Sequence, residues 1–144
     1  MSATTLISDH DDATRALFDA ASEVRNRTYS PYSGYPVGAA VRTIAGDVFA
    51  CCNVENAAYP LGTCAEAGAI SMMVAASVVK PEIVEVVVVT GGDVAGTPCG
   101  GCRQRIREFA TPATIIRSAT LDGEVLSMTM DDLLPFSFGP ERLL

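Results

Sequence analysis

Apolar residues recur at two different periods along the chain, and these periods predict both helices and strands. Residues 11–26 place Ala13, Leu17 and Val24 at helical spacing, with acidic residues at the start and arginines towards the end. Residues 83–90, IVEVVVVT, are almost entirely apolar, which is typical of a strand covered on both faces. The pattern therefore predicts an amphipathic first helix and a buried central strand.

Proline and glycine divide the rest of the chain into further elements. The additional strands are two within residues 37–54 about a turn at 45–47, one at 113–118 and a weaker one at 125–130. The additional helices cover about 64–79, with Thr63 as N-cap, and 100–109, and the tail begins with a short helical turn. No repeat or internal linker is visible. We therefore expect one domain over residues 1–144, with a single mixed sheet layered between helices.

Composition and charge narrow the choice of partners. The chain is 49% hydrophobic, which suits one compact domain, and carries a net charge of −7 with only 10 Lys and Arg. Nucleic acid and anionic membranes are poor partners for such a surface, whereas a neutral small molecule is readily accommodated. The N-terminus has no basic and apolar signal pattern, so we expect a cytoplasmic protein.

Three of the five cysteines indicate a metal site. Cys64 and Cys102 fall at predicted helix N-termini, which favour the thiolate, and Cys99 lies in the glycine-rich turn before the third helix. Three thiolates can hold a tetrahedral zinc and leave one position for water. Cys51 and Cys52, on a predicted strand, remain alternatives as a fourth ligand or as small buried apolar residues.

Glu66 favours catalysis over a structural metal site. It follows Cys64 by two residues, which places a carboxylate near a metal-bound water without making it a ligand. Zinc lowers the pKa of such a water, and a carboxylate can take its proton and return one to a leaving group. A lone CxxC or a lone Cys-x-Glu is weak evidence for such a site. Their combination, with Pro98 before Cys99, matches the zinc deaminase motif in its three-cysteine form.

The motifs YSPYSGYPVGAA, NVENAAYPLGTCAE, PCGGCRQRIREF and LLPFSF occur in that order between about Tyr29 and Phe138. In these motifs the sequence closely resembles the small homotetrameric cytidine deaminases. The resemblance implies an α/β, three-layer α-β-α fold with a five-stranded mixed sheet. It also implies one Zn²⁺ per chain and a homotetramer whose sites are shared between subunits.

The resemblance also implies a role for each matching residue. The zinc ligands are Cys64, Cys99 and Cys102, and Glu66 is the proton shuttle. The substrate contacts are Asn53 and Glu55 to the ribose, Tyr35 against the pyrimidine, Ala65 and Thr97 at the base edge, and Phe138 from a neighbouring subunit. Taken alone, Asn53 and Glu55 could instead end a strand and cap a turn. Tyr35 could be ordinary packing, and Phe138 a tail anchor on its own subunit.

Two positions depart from the family pattern. Ala67 stands where arginine usually follows the catalytic glutamate, so the negative charge of a zinc held by three thiolates must be offset elsewhere. We expect arginine or N–H donors at the sulfurs, with Arg103 the first candidate. Tyr35 stands where phenylalanine is commoner, and its hydroxyl needs a partner if buried.

The function implied by the resemblance is hydrolytic deamination of cytidine and deoxycytidine to uridine and deoxyuridine, a step of pyrimidine salvage. Blasticidin-type deaminases share the zinc motifs and are an alternative. A catalytically silent, zinc-stabilised nucleoside-binding module is an alternative of another class. RNA editing is a further possibility that the acidic charge disfavours.

Overall fold

The computed structural model describes residues 3–144, so Met1 and Ser2 of the predicted 1–144 domain lie outside the described part of the chain. The strands in it are β1 (Ala3–Leu6), β2 (Gly38–Thr43), β3 (Val48–Cys52), β4 (Ile83–Thr90), β5 (Ala110–Thr120) and β6 (Glu124–Thr129). Within residues 3–144 these six strands form one sheet in the order β1-β6-β5-β4-β2-β3. Strands β4 and β5 are parallel and the other neighbours antiparallel, so the sheet is mixed as predicted.

The prediction of five strands was wrong, because the N-terminal segment adds a sixth. Strand β1 pairs antiparallel with β6, with Ala3 opposite Ser127 and Leu6 opposite Glu124. Its four residues include two threonines and carry little apolar periodicity. The strand forms because β6 offers an unpaired edge, and that edge is a tertiary feature.

The helices cover both faces of the sheet and give the predicted three layers. They are α1 (Asp12–Arg25), α2 (Ala65–Ala75), α3 (Gly100–Arg107) and the single turn α4 (Met130–Leu133). One core joins α1 to Val87 and Val89, and the other joins the remaining helices to Val86 and Val88. Alternate side chains of β4 therefore enter different cores, as the apolar run predicted.

Helix α2 begins one residue later than predicted. Thr63 exchanges backbone hydrogen bonds with Val54 at 2.8 and 2.9 Å, and these bonds form an antiparallel β-bridge that keeps Thr63 extended. Cys64 takes the N-cap position and makes no side-chain cap bond, which leaves its sulfur free for other partners. The helix also ends earlier than predicted, at Ala75. No helix among residues 3–144 is both long and apolar enough to cross a membrane.

Candidate metal centre and active site

Two helix starts bring three sulfurs together. Cys64 is the N-cap of α2, Cys99 is the N-cap of α3, and Cys102 lies in the first turn of α3. All three Sγ atoms lie within 4.8 Å of one another, and those of Cys64 and Cys99 are 4.0 Å apart. Cys102 is buried and Cys99 exposed, so the cluster opens to solvent on one side. The structure thus brings together the three cysteines predicted as ligands.

The donor set fits zinc. Two sulfurs bound tetrahedrally at about 2.3 Å would lie about 3.8 Å apart, close to the spacing of this cluster. A hydrogen bond with the Cys102 thiol lowers the pKa of Cys64 to about 6, although burial opposes it. A low thiol pKa favours metal binding near neutral pH, because the ligand is the thiolate. Cys51 and Cys52 lie outside the cluster found among residues 3–144, so three protein ligands converge, as for a catalytic zinc site.

Glu66 lies in the first turn of α2, beside the cluster, and only 4% of its surface is exposed. Burial raises the pKa of its carboxyl, and the neighbouring Cys64 raises it further. A carboxyl with a raised pKa can both accept and return a proton near neutral pH. The structure therefore gives Glu66 the environment that a proton shuttle needs.

A cavity of about 260 Å³ opens in front of the sulfurs. Its lining includes eight residues predicted as site residues: Tyr35, Asn53, Glu55, Cys64, Ala65, Glu66, Thr97 and Cys99. Phe138 is absent from this lining and is 59% exposed, on the tail of its own chain. A different cavity of about 230 Å³, lined by Tyr32 and Tyr59, is next to it and shares Ser33 and Glu55.

Asn53 and Glu55 both brace the loop that forms one wall of the cavity. Asn53 Oδ1 accepts from Val37 N at 2.8 Å, and its Nδ2 donates to Tyr35 O at 3.0 Å. Glu55 Oε1 accepts from the backbone N–H of Tyr32 and Ser33 at 2.9 and 3.1 Å. Bonds from Ser33 and Tyr32 hold the pKa of the Glu55 carboxyl below its usual range, so it is an anionic acceptor.

Two arginines of α3 follow Cys102 closely, and Arg103 is not the one that contacts a sulfur. Its guanidinium donates to Pro98 O, Leu133 O and Thr97 Oγ1 at 2.9 to 3.1 Å, and so holds the Cys99 loop against the tail. Arg105 instead donates from Nη1 to Cys102 Sγ at 3.8 Å. The expectation of an arginine donor was therefore right, and the choice of Arg103 was wrong.

The tail is fastened to α3 by side chains of that helix. Gln104 Nε2 donates to Phe138 O at 2.9 Å, and Arg107 Nε donates to Ser137 Oγ at 2.8 Å. Arg107 also pairs with Glu141 at 2.8 Å. The helix that carries Cys102 therefore also positions the segment that carries Phe138.

Several residues of the cavity wall were not predicted from the sequence. Val88 and Thr90 line it from the carboxyl end of β4, where ligands commonly bind in open α/β sheets. A Cβ at Gly96 would lie 2.5 Å from Tyr35 Oη and 3.1 Å from Thr90 Oγ1. Glycine therefore makes room for the tyrosine hydroxyl. The glycine-rich loop directly after the buried strand was the available signal.

Comparisons with known proteins agree with this geometry. Residues 11–118 match the family model described as the cytidine and deoxycytidylate deaminase zinc-binding region. A cytidine deaminase of Sporosarcina psychrophila is 37% identical over 127 residues, covering 88% of this chain and 92% of the relative. One from Mycobacterium tuberculosis is 33% identical and covers 85% and 87%.

Solved structures of cytidine deaminases share the fold. That from Burkholderia pseudomallei superposes with a TM-score of 0.81 at 40% identity, covering 86% of this chain and 98% of the other. That from Mycobacterium leprae gives a TM-score of 0.73 at 38% identity, covering 87% and 99%. The chain belongs to the zinc-binding cytidine and deoxycytidylate deaminase family.

Proposed function

We propose that this protein is a cytidine deaminase that hydrolyses cytidine and deoxycytidine to uridine and deoxyuridine, with release of ammonia. The observation that carries the proposal is the buried Glu66 beside three convergent sulfurs at one cavity. A cavity of about 260 Å³ has room for a pyrimidine ring together with part of a ribose. The family relationship supports the same substrate class.

The catalytic roles follow from the chemistry of the side chains. Cys64, Cys99 and Cys102 hold zinc, which, when bound, supplies a Lewis acid that makes water nucleophilic at neutral pH. Glu66 takes a proton from the water that attacks C4, passes one to N3 of the pyrimidine and then helps ammonia leave. The raised pKa of Glu66 suits this exchange in both directions.

The substrate contacts divide between the sugar and the base. Asn53 and Glu55 bind the ribose hydroxyl with the donor and acceptor capacity that their loop contacts leave free. Tyr35 packs on the pyrimidine, and backbone groups of Ala65 and Thr97 hold its edge. All five of these residues line the cavity.

We also propose a homotetramer in which Phe138 enters the site of a neighbouring subunit. Helix α2, AEAGAISMMVA, contains no lysine or arginine, and it exposes Met72 (48%) and Val74 (44%) on either side of the buried Met73. A helix that is apolar all round is normally buried, so a second copy is a suitable cover for this face. Phe136 and Phe138 are also exposed on the tail. The single domain, residues 1–144, would act in the cytoplasm in pyrimidine salvage.

An ammonia-release assay over several aminopyrimidines tests the proposal, with zinc content measured on the same sample. The panel is cytidine, deoxycytidine, deoxycytidylate, cytosine and blasticidin S. We expect turnover of the first two. Turnover of blasticidin S alone would identify the rival deaminase, and bound zinc with no ammonia from any compound would identify a silent binding module.

A further inference from the structure

The sulfur cluster concentrates negative charge beside α2, a helix that offers no positive side chain. A dication held by three thiolates leaves one excess negative charge, and the Glu66 carboxylate adds to it. Ala67, directly after Glu66 in the first turn of α2, is uncharged. A stable centre therefore needs a cation from another element.

Arg105 reaches the cluster from α3. It follows Cys102 by three residues, and side chains at this spacing lie on the same side of a helix. Its Nη1 lies 3.8 Å from Cys102 Sγ, within hydrogen-bond reach of a sulfur. The guanidinium therefore meets the most buried of the three sulfurs.

Gly101 makes this approach possible. A Cβ at this position would lie 3.0 Å from Arg105 Nη1 and 4.0 Å from Cys99 Sγ. The guanidinium thus packs over the bare backbone between Cys99 and Cys102. A side chain at residue 101 would therefore oblige the guanidinium to shift by at least a few tenths of an ångström.

The charge of Arg105 is not committed elsewhere. Among the ion pairs of residues 3–144, none involves Arg105, whereas Arg107 pairs with Glu141 and Arg117 with Glu85. Ala67 stands three residues after Cys64, just as Arg105 stands three residues after Cys102. Ala67 brings no charge to Cys64, so the cation next to a cysteine of the cluster comes from α3.

We propose that Arg105 is a positioning residue of the zinc centre, which balances the charge of the three thiolates and donates a hydrogen bond to Cys102 Sγ. Gly101 is the position that admits it. The inference rests on the zinc site of the proposed function. Arg105 acts on the ligands and does not touch the substrate.

The zinc affinity of Arg105→Gln tests the inference, measured by competition with a chelator at neutral pH. We expect the zinc dissociation constant to rise about tenfold, the lower end of the range for partners of metal ligands, because the side chain is exposed. In the cobalt-substituted protein, the thiolate-to-metal charge-transfer band should move to longer wavelength, because the sulfur loses a hydrogen bond. Arg27→Gln, which removes the same charge from an exposed pair with Glu23, should change neither quantity.

Three further variants separate charge from fold. Arg105→Lys should recover most of the affinity, and Ala67→Arg combined with Arg105→Gln should restore a cation from α2. Gly101→Ala keeps the charge but makes the guanidinium shift by a few tenths of an ångström, so it should weaken zinc binding slightly, and it tests the contact even if Arg105→Gln does not fold. An unchanged dissociation constant and an unchanged cobalt band in Arg105→Gln would overturn the inference. A wild-type protein that binds no zinc would instead overturn the proposed function.

Discussion

Single residues at the site carry separable roles, and Glu66 is the most direct to test. Glu66→Gln keeps the size of the side chain but cannot carry protons. We expect deamination to fall by at least about 100-fold, since general acid–base catalysis contributes that much or more. Zinc content should stay unchanged, because Glu66 is not one of the three clustered sulfur donors.

Glu124→Gln, an exposed carboxylate on β6, is the matched control and should deaminate normally. Near-normal turnover by Glu66→Gln itself would contradict its assignment as the proton shuttle.

Positions in the sequence predicted which cysteines converge, but not which arginine contacts them. Cys64, Cys99, Cys102 and Glu66 were predictable because their spacing and the helix starts fix which groups converge. The choice between Arg103 and Arg105 depended on the direction of each side chain around α3. Arg103, one residue after Cys102, turns towards Pro98 and Leu133, whereas Arg105 returns to the sulfur face.

At the scale of elements, the contact between α2 and β3 sets a steric limit at Gly68. A Cβ there would lie 2.6 Å from Cys51 Sγ and 3.0 Å from Cys51 Cβ. In an open helix Gly→Ala stabilises by about 1 kcal/mol, but overpacking costs about 1–3 kcal/mol. We expect Gly68→Ala to lower the free energy of unfolding in urea.

The double variant Gly68→Ala with Cys51→Ala should recover much of that loss, because the second change removes the sulfur. A Gly68→Ala protein more stable than the wild type would show that β3 moves away at little cost.

A second element-scale feature is the ion-pair network that fastens β4 to its neighbours. Glu85 is 3% exposed and accepts from Arg117 Nε at 2.6 Å and Arg42 Nη2 at 2.5 Å. Thr14 of α1 donates to it at 2.8 Å. Burial alone would raise the pKa of Glu85, but the bonds from Arg117, Arg42 and Thr14 outweigh it and lower the pKa.

A lowered pKa contributes stability above the pKa of the unfolded chain, about 4.3 for glutamate, and loses it as pH falls through the folded value. Glu85→Gln should therefore destabilise the protein at pH 7 by about 2–4 kcal/mol, because it leaves two partly buried arginines without their carboxylate. The difference from wild type should shrink below about pH 4. Urea unfolding at pH 7 and below about pH 4 measures the difference in free energy of unfolding between Glu85→Gln and the wild type. An equal difference at the two pH values would contradict a stabilising role for the charged Glu85 network.

The elements themselves were largely predictable, and the exceptions have physical causes. Strand β4 was predicted with its observed bounds because its apolar run is long and isolated. Strand β5 is longer than predicted at both ends, since it covers Ala110–Thr120 where the predicted strand covered 113–118. Its pairing with β4 shifts register between Ile83 and Glu85, opposite the stretch 110–115 that contains Pro112. Strand β1 depends on an edge that only the assembled sheet provides.

For the whole molecule, the apolar outer side of α2 bears on the proposed homotetramer. Met72→Glu places a charge in that face, where burial against another copy would be costly. We expect a smaller molecular mass in solution and lower activity, because Phe138 would no longer reach a neighbouring site. Ile44→Glu, at an exposed turn outside this face, should leave the mass unchanged. A wild-type enzyme that is active as a strict monomer would contradict the shared site.

Helix α3 has two roles, since it begins at the three clustered sulfurs and holds the tail through Gln104 and Arg107. In the proposed homotetramer, loss of metal from one copy should loosen its own tail and, if Phe138 enters the neighbouring site as proposed, impair the pocket of the copy beside it. Enzyme activity would then fall more steeply than zinc occupancy during gradual depletion. A partly loaded preparation would accordingly behave as a cooperative assembly, in which each ion serves more than one reaction centre.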